Sequence, residues 1–506
     1  MTPRNDLPQR RTLSARRLKL LGSVAVLGSA LVLGGPLAHG RFGEPAQAAT
    51  AQSQQGPAGF ADLIAKVKPA VISVRVKVDQ GAETSGLGQN DEEMPPFMKN
   101  SPFERFFGQR GFENTPRGGM QQHQMVTGVG SGFFISADGY AVTNNHVVDH
   151  AKSVDITTDD GKTYTAKVIG TDAKTDLALI KVDGKSDFAF VNFETAKPRV
   201  GDWVVAVGNP YGLGGTVTAG IVSAEGRDIG AGPYDDYIQI DAPINKGNSG
   251  GPTFDTNGNV IGVNTAIYSP SGGSVGIGFD IPASTAKLVV AQLKDKGVVT
   301  RSWLGVQVQK VTPEIADSIG LKNASGALVA EAKPDTPAAK AGIEAGDVIT
   351  SVNGNAVKDS RELAREISSM TPGSAAKLEI LRNGEQKTIN VTLAEMPNQP
   401  QKQANAGDEN GPMRGVPHLG LSVAPASEVA GAGNKGVVVT AVDPDGPAAE
   451  RGLKSGDVIL DVAGKSVANV GELRSALSDA KSGGKHDVLM RIKSADSTHF
   501  VAVPIG

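Results

Sequence analysis

The 506-residue sequence contains no cysteine. That excludes disulfide scaffolds, cysteine–zinc sites, iron–sulfur clusters and thiol catalysis. Aromatic residues are scarce, at 5%. Neither sign of charge dominates: 50 Lys and Arg stand against 53 Asp and Glu, a net charge of -3. Without a basic field, nucleic acid is not an expected partner. The sequence also lacks a GxxxxGKS nucleotide loop and any His/Asp/Glu cluster with ligand spacing, so neither a cofactor nor a metal is expected. Glycine, by contrast, is abundant, with 64 residues and no G-X-Y period. Together with 39% hydrophobic and 20% charged residues, this points to a folded, turn-rich β protein. The length suits two to four domains of roughly 100–200 residues.

The first residues stand apart. Arg4, Arg10, Arg11, Arg16, Arg17 and Lys19 face a single acid, Asp6, and a mostly apolar run follows from Leu20 to Ala38. Ala46-Gln47-Ala48 then supplies small residues. This is the order of a secretory signal, with cleavage expected after Ala48 and residues 1–48 removed. An uncleaved, membrane-tethered form is the alternative, but Gly34, Gly35 and Pro36 shorten the apolar run below the about 20 residues of a span. Arg16-Arg17 fits a twin-arginine signal only in part, because Leu18-Lys19 follows. Cleavage removes seven basic and two acidic residues, leaving a net charge of -3 - 5 = -8. No later stretch is long and apolar enough to span a bilayer. Export without cysteine suits a bacterial envelope protein indifferent to its redox surroundings.

In the mature chain a helix is expected near Phe60–Val67 and a strand over Ala70–Val78. The segment Gln80–Gln124 mixes Gly, Pro, Asn and Gln with Phe97, Phe103, Phe106, Phe107 and Phe112. It reads either as a loop without fixed structure or as a regulatory or assembly arm. From Val126 to Ile281 about ten short strands alternate with Gly and Asx turns, the pattern of a barrel or a pair of barrels. An amphipathic helix over Pro282–Lys296 closes this region. Two repeats follow at an offset of 436 - 326 = 110 residues, Gly326-Ala327-Leu328-Val329 matching Gly436-Val437-Val438-Val439. A period this long marks a duplicated domain. The Gln-, Asn-, Gly- and Pro-rich residues 397–415 read as the linker between the copies.

Three segments carry chemistry. Thr143-Asn144-Asn145-His146-Val147-Val148 places a histidine at the end of an expected strand. Thr175-Asp176-Leu177-Ala178-Leu179 places an aspartate at the start of another. Gly247-Asn248-Ser249-Gly250-Gly251 holds a serine in a glycine turn. A serine hydroxyl is a poor nucleophile unless a base takes its proton, and histidine titrates in the right range. A buried carboxylate then fixes the imidazole. Glycines around the serine let backbone N–H groups approach an oxyanion, each donor supplying roughly 3–4 kcal/mol. Each segment alone is weak. The order His…Asp…Ser within one β region is that of barrel-type serine peptidases. His123 and His150 are poorer candidates for the base. Asp172 competes with Asp176, but only Asp176 leads directly into the apolar run Leu177–Ile180.

With the TNNHVV, TDLAL and GNSGGP motifs and two downstream repeats, residues 60–506 resemble the HtrA/Deg (Do) family of envelope serine endopeptidases, in the DegP/DegQ/MucD-like subgroup. The resemblance implies a mainly β fold. A chymotrypsin-like double β-barrel spans 60–297 with the insert 80–124, followed by PDZ domains over 301–396 and 416–506. It implies an ATP-independent serine endopeptidase of the periplasm that degrades misfolded or damaged proteins. The roles carried over are His146 as base, Asp176 as its orienter, Ser249 as nucleophile, and Gly247 and Ser249 as oxyanion donors. Asn248 and the strand Thr265, Ala266, Ile267, Tyr268 and Ser269 would border substrate, with Ile244 and Ile267 beside a pocket for small or medium apolar residues. Trp303-Leu304-Gly305-Val306 and His418-Leu419-Gly420-Leu421 resemble PDZ carboxylate loops, with Arg301 adding charge to the first and Arg414 the nearest basic residue before the second. The implied partners are unfolded proteins or peptides and copies of the same chain, as trimers or multiples of them. Gating is expected from 80–124, Glu225–Asp236 and Ser269–Ser274. The alternatives are a chaperone or a peptide-binding scaffold with an idle protease domain.

Overall fold

The computed structural model describes residues 59–79, 125–210, 214–270, 272–397, 414–416, 419–429, 431–495 and 497–505. The chain divides into two units, Met1–Ala58 and Gly59–Gly506. The expected signal segment, the insert 80–124 and His418 lie outside the described residues.

Helix α1 (Ala61–Val67) leads into a first closed barrel. Its strands are β1 (Val71–Asp79), β2 (Met125–Phe134), β3 (Tyr140–Asn144), β4 (Ser153–Thr157), β5 (Thr163–Asp172) and β6 (Leu177–Val182), paired in the order β1-β2-β3-β6-β5-β4. A one-turn helix, α2 (Asn145–Val148), follows β3. The second closed barrel comprises β7 (Trp203–Gly208), β8 (Thr216–Arg227), β9 (Tyr237–Ile240), β10 (Pro252–Phe254), β11 (Val260–Ile267) and β12 (Gly278–Pro282), in the order β10-β11-β12-β9-β8-β7. Period-2 alternation explains both barrels. One face of each strand fills its own barrel, as Ile72, Val74 and Ile180 do in the first and Val204, Val222 and Ile240 in the second. The other face meets the neighbouring barrel in a shared core with Phe133, Leu179, Val205, Phe254 and Phe279. Each fully buried Val, Ile or Phe contributes about 1.5–3 kcal/mol. Helix α3 (Ala283–Lys296) closes this core with Ala286, Val289, Val290 and Leu293, and ends on Gly297 in the left-handed conformation.

The first repeat contains β13 (Ser302–Trp303), β14 (Val306–Lys310), α4 (Pro313–Ile319), β15 (Ala327–Ala332), α5 (Pro337–Lys340), β16 (Val348–Val352), β17 (Asn355–Ala356), α6 (Ser360–Ser369), β18 (Ala375–Arg382), β19 (Glu385–Thr392) and β20 (Ala394–Glu395). The second contains β21 (Arg414–Val416), β22 (Leu421–Pro425), β23 (Val437–Val442), α7 (Pro447–Glu450), β24 (Val458–Val462), β25 (Lys465–Ser466), α8 (Val470–Ser482), β26 (Asp487–Ser494) and β27 (Ser497–Pro504). The main sheets run β14-β15-β16-β18-β19 and β21-β22-β23-β24-β26-β27, so duplication in sequence becomes duplication in topology. The copies touch directly. Gln309 Nε2 donates to the Phe500 carbonyl at 2.9 Å, and its Oε1 accepts from Phe500 N at 2.6 Å.

Candidate active site

The histidine is reached through α2, not through a strand. Val147 and Val148 are both buried, and two adjacent apolar residues read equally well as strand or as a helical turn. The aspartate sits in the tight turn before β6, with φ at +54°. That left-handed position is tolerated by aspartate better than by most residues. It turns the carboxylate back onto α2. Asp176 Oδ1 accepts from the His146 backbone N–H at 2.9 Å, and Oδ2 lies 2.7 Å from His146 Nδ1. An ionised carboxylate only accepts, so Nδ1 carries the hydrogen and Nε2 is the basic nitrogen.

The serine turn is tied to the same place by its neighbours. Ser131 N–H on β2 donates to the Ser249 carbonyl at 2.8 Å. The Ser131 hydroxyl donates to the Gly247 carbonyl at 2.6 Å and accepts from Asn209 N–H at 2.8 Å. Thr143, three residues before His146, donates its hydroxyl to the Ser131 carbonyl at 2.7 Å. Gly250 is packed so closely that a Cβ there would lie 2.3 Å from the Ser131 carbonyl oxygen and 2.4 Å from Thr143 Oγ1. Gly247, with φ at +94°, would place a Cβ 2.6 Å from Pro210. Only glycine fits either position. Asn144 closes the set, its amide donating to the Asp176 carbonyl at 2.9 Å and to Thr265 Oγ1 at 3.1 Å. The three segments are therefore stitched together by their own near neighbours Thr143, Asn144 and Gly247 and, through β2, by Ser131.

The expected substrate strand is β11, which ends at Ile267. Its β10 neighbour pairs only with Val260–Val263. Among the described residues no strand covers that flank of Thr265, Ala266 and Ile267. The side chains of Ala266, Ile267 and Ser269 are buried and Tyr268 is 42% exposed. The Ser269 hydroxyl is turned inward to the Gly273 carbonyl at 2.6 Å. Ile244 and Ile267 are buried, and Gly278 leaves room for the Ile244 side chain. Asn248 is buried in the turn itself.

In the repeats, Leu304 is buried and Gly305 has φ at +79°, with its carbonyl accepting from Lys333 N–H. Val306 opens β14. Leu419, Gly420 at φ +69° and Leu421 reproduce this arrangement, the Gly420 carbonyl accepting from Asp443 N–H. Helix α6 lies against β14, and α8 against β22.

A trypsin-like peptidase domain model matches residues 130–263, and a PDZ domain model matches 302–393 and 417–503. The chain is 52% identical over 470 residues to a probable periplasmic serine endoprotease DegP-like of Brucella suis, covering 89% of this chain and 90% of that protein. The chain belongs to the DegP-like serine endoproteases. A Rhizobium meliloti DegP-like protein is 45% identical over 487 residues, covering 91% of this chain and 94% of its own length. The solved HtrA-type protease AlgW with decapeptide is 35% identical at a TM-score of 0.54, over 68% of this chain and all of that one. Membership makes this DegP-like protein a serine endopeptidase with a trypsin-like domain and two PDZ domains.

One expectation is overturned by the geometry. Arg301 is not open at the first carboxylate loop. It is buried, and its guanidinium grips Asp172 of the barrel region, Nη1 to Oδ1 at 2.8 Å and Nη2 to Oδ2 at 2.5 Å, while stacking over Tyr234. A bidentate pair with a carboxylate is the strongest use of that fork, and it drew the arginine away from the loop. Asp172, the rival for the histidine's partner, is thereby accounted for as well. Sequence reasoning also missed Ser131, a single polar residue in a β run with no motif of its own, and gave Thr143 and Asn144, though inside the TNNHVV motif, no role of their own. It missed the contact of α6 with the segment 228–236. Arg361 pairs with Asp228 at 2.8 Å, and Arg365 donates to the Asp235 carbonyl at 2.8 Å. Asp235 shapes that segment by accepting from Ile229 and Ala231 N–H at 3.0 and 2.9 Å. Burial pushes its carboxyl up to about 6.

Among the described residues no group of three His, Asp or Glu could hold a metal, and no helix is long and apolar enough to cross a membrane.

Proposed function

We propose that the protein cleaves unfolded polypeptides in the periplasm, using Ser249 as nucleophile, His146 as general base and Asp176 as its orienter. The observation that carries the roles is the double hold of Asp176 on His146, through the backbone N–H and through Nδ1. It leaves Nε2 to take the Ser249 proton as Oγ attacks the scissile carbonyl carbon. The tetrahedral oxyanion is met by the N–H groups of Gly247 and Ser249. His146 then returns the proton to the leaving amine, and water repeats the sequence on the acyl-enzyme. Substrate lies as an added strand along the uncovered flank of Thr265–Ile267, held mainly by backbone bonds and so accepting many sequences. Ile244 and Ile267 favour a small or medium apolar side chain before the cut.

The barrels span 60–297 and the readers 301–396 and 416–506. The first reader offers β14 and the loop Leu304-Gly305-Val306 to a hydrophobic C-terminus. Through Arg361 and Arg365 its helix α6 holds the segment 228–236, a route by which occupancy reaches the catalytic barrels. The chain assembles into trimers or their multiples.

The test is digestion of unfolded casein by the full chain and by Ser249→Ala, with the released peptides sequenced by mass spectrometry. We expect loss of about six orders of magnitude in kcat for the variant. Equal release by both proteins sinks the assignment. Suppression of aggregation by the variant would add a holding activity beside the hydrolytic one.

A further inference from the structure

One buried acid has no place in the mechanism above. Asp280 is the middle residue of β12 and is fully inaccessible. Its neighbours Phe279 and Ile281 face the core shared with the other barrel and α3. By alternation Asp280 points into the interior of the second barrel. Its register partners, Asn264 on β11 and Ile238 on β9, lie on the same face. Gly262 leaves it space, since a Cβ there would come within 2.7 Å of Asp280 Cβ. The rest of this interior is apolar and includes Val204, Ala206, Val222, Ile240 and Ile261. Tyr237 of β9 is turned the other way, against Phe279, and Lys287 of α3 is exposed. Among the described residues no charged group faces the carboxyl. Neither of its oxygens has a hydrogen-bond partner, and the Thr253 hydroxyl is the polar group beside it. An ion in such a place is costly, and burial pushes the carboxyl up to about 7.

Thr253 connects this acid to the nucleophile turn. Its hydroxyl donates to Asn264 Oδ1 at 2.9 Å. The Asn264 amide donates to the Gly251 carbonyl at 2.9 Å. The Asn264 backbone accepts from Gly250 N–H at 2.8 Å and donates to the Gly251 carbonyl at 2.9 Å. Asn264 thus grips the two residues that follow Ser249, and Thr253 fixes which way Asn264 faces. A threonine has one hydrogen to give. A neutral Asp280 leaves it on Asn264. A carboxylate is the stronger acceptor and competes for it.

We propose that Asp280 is a positioning residue for the Ser249 turn. As a neutral acid it leaves the Thr253 proton on Asn264; as an anion it withdraws that proton, loosens the hold on Gly250 and Gly251, and slows peptide cleavage. The proposal rests on the serine-endopeptidase reading and adds to it an alkaline limit on the rate. Asp280 must keep its proton for the rate to hold.

The experiment is kcat and KM of the full-length protein on one fluorogenic peptide from about pH 5 to about pH 9, for wild type, Asp280→Asn and Thr253→Val. In wild type we expect kcat to fall roughly ten- to a hundred-fold on the alkaline side, as a displaced catalytic group costs, with a midpoint well above the usual carboxylate range, where burial pushes the Asp280 carboxyl. Asp280→Asn cannot ionise and leaves the threonine proton in place, so its kcat stays on the plateau. Thr253→Val lacks the proton altogether, so its kcat is low at every pH and shows no alkaline limb. An alkaline limb shared by wild type and Asp280→Asn overturns the proposal, as does a change confined to KM. Should Asp280→Asn not fold, infrared spectra of Ser249→Ala decide. A protonated-carboxyl band that disappears with the kcat midpoint supports the proposal, and its absence overturns it. Inactivity of wild type at every pH, by contrast, would be a failure of the endopeptidase assignment.

Discussion

Asp176 shows how much one residue's backbone conformation can contribute to chemistry. Its left-handed φ aims the carboxylate at both the main chain and the ring of His146. The side chains of His146 and Asp176 remain 31% and 18% exposed, so the pair is placed by geometry more than by burial. An amide at this position would keep the shape but offer a donor to Nδ1, forcing the hydrogen onto Nε2. Asp176→Asn is therefore expected to lower kcat by about ten-thousand-fold with little change in KM, and the loss should shrink at high pH where other bases take over. Steady-state kinetics on a single peptide substrate checks this. A variant within a few-fold of wild type would mean that Asp176 merely packs. Ser249, His146 and Asp176 were singled out in the sequence because the proposed chemistry demands those types in that order. Ser131 was not. A lone serine in a glycine-rich strand carries no signal until folding sets its hydroxyl between the Gly247 carbonyl and the Asn209 amide.

At the scale of elements, strands were easiest to read where period and length agreed. β6 and β7, Leu177–Val182 and Trp203–Gly208, are six-residue apolar-rich runs whose length and composition both mark a strand. β10 carries little signal in the sequence because it is three residues long and starts at a proline directly after the glycine turn. The junction between the barrels and the first repeat was also unseen, because it depends on a pair 129 residues apart, Arg301 and Asp172. Burial alone would raise the Asp172 carboxyl. The bonds and charge of Arg301, with the Thr175 hydroxyl, outweigh it and hold the group below the usual carboxylate range. A lowered folded value means that the pair stabilises the protein at neutral pH and ceases to do so as pH falls through that value. Arg301→Ala leaves a buried carboxylate alone, at a cost of about 3–5 kcal/mol. Its thermal unfolding should lie clearly below wild type at neutral pH, and the two should converge once acid protonates Asp172. A gap of the same size at both pH values would show that the arginine acts through packing.

At the scale of the molecule the two repeats share a topology but differ at one edge. In the first, β14 pairs with β15 on one side, and no strand among the described residues covers the other, beside α6. In the second, the corresponding flank of β22 is already taken by β21, Arg414 opposite Val423 and Val416 opposite Leu421. β21 runs antiparallel toward the loop Leu419-Gly420-Leu421, the course of a peptide whose C-terminus would enter that loop. The chain's own linker thus stands where a ligand strand would add. A peptide with a hydrophobic C-terminus should therefore bind full-length Ser249→Ala at one site per chain. Replacing residues 414–416 by prolines, which cannot donate to the ladder, should expose the second groove and raise the count to two. Calorimetric titration reads the stoichiometry directly. Two sites before the replacement would show that β21 is no barrier. One site after it would show that the second groove rejects peptides for reasons of its own lining, leaving α6, Arg361 and Arg365 as the route from peptide to catalytic barrels.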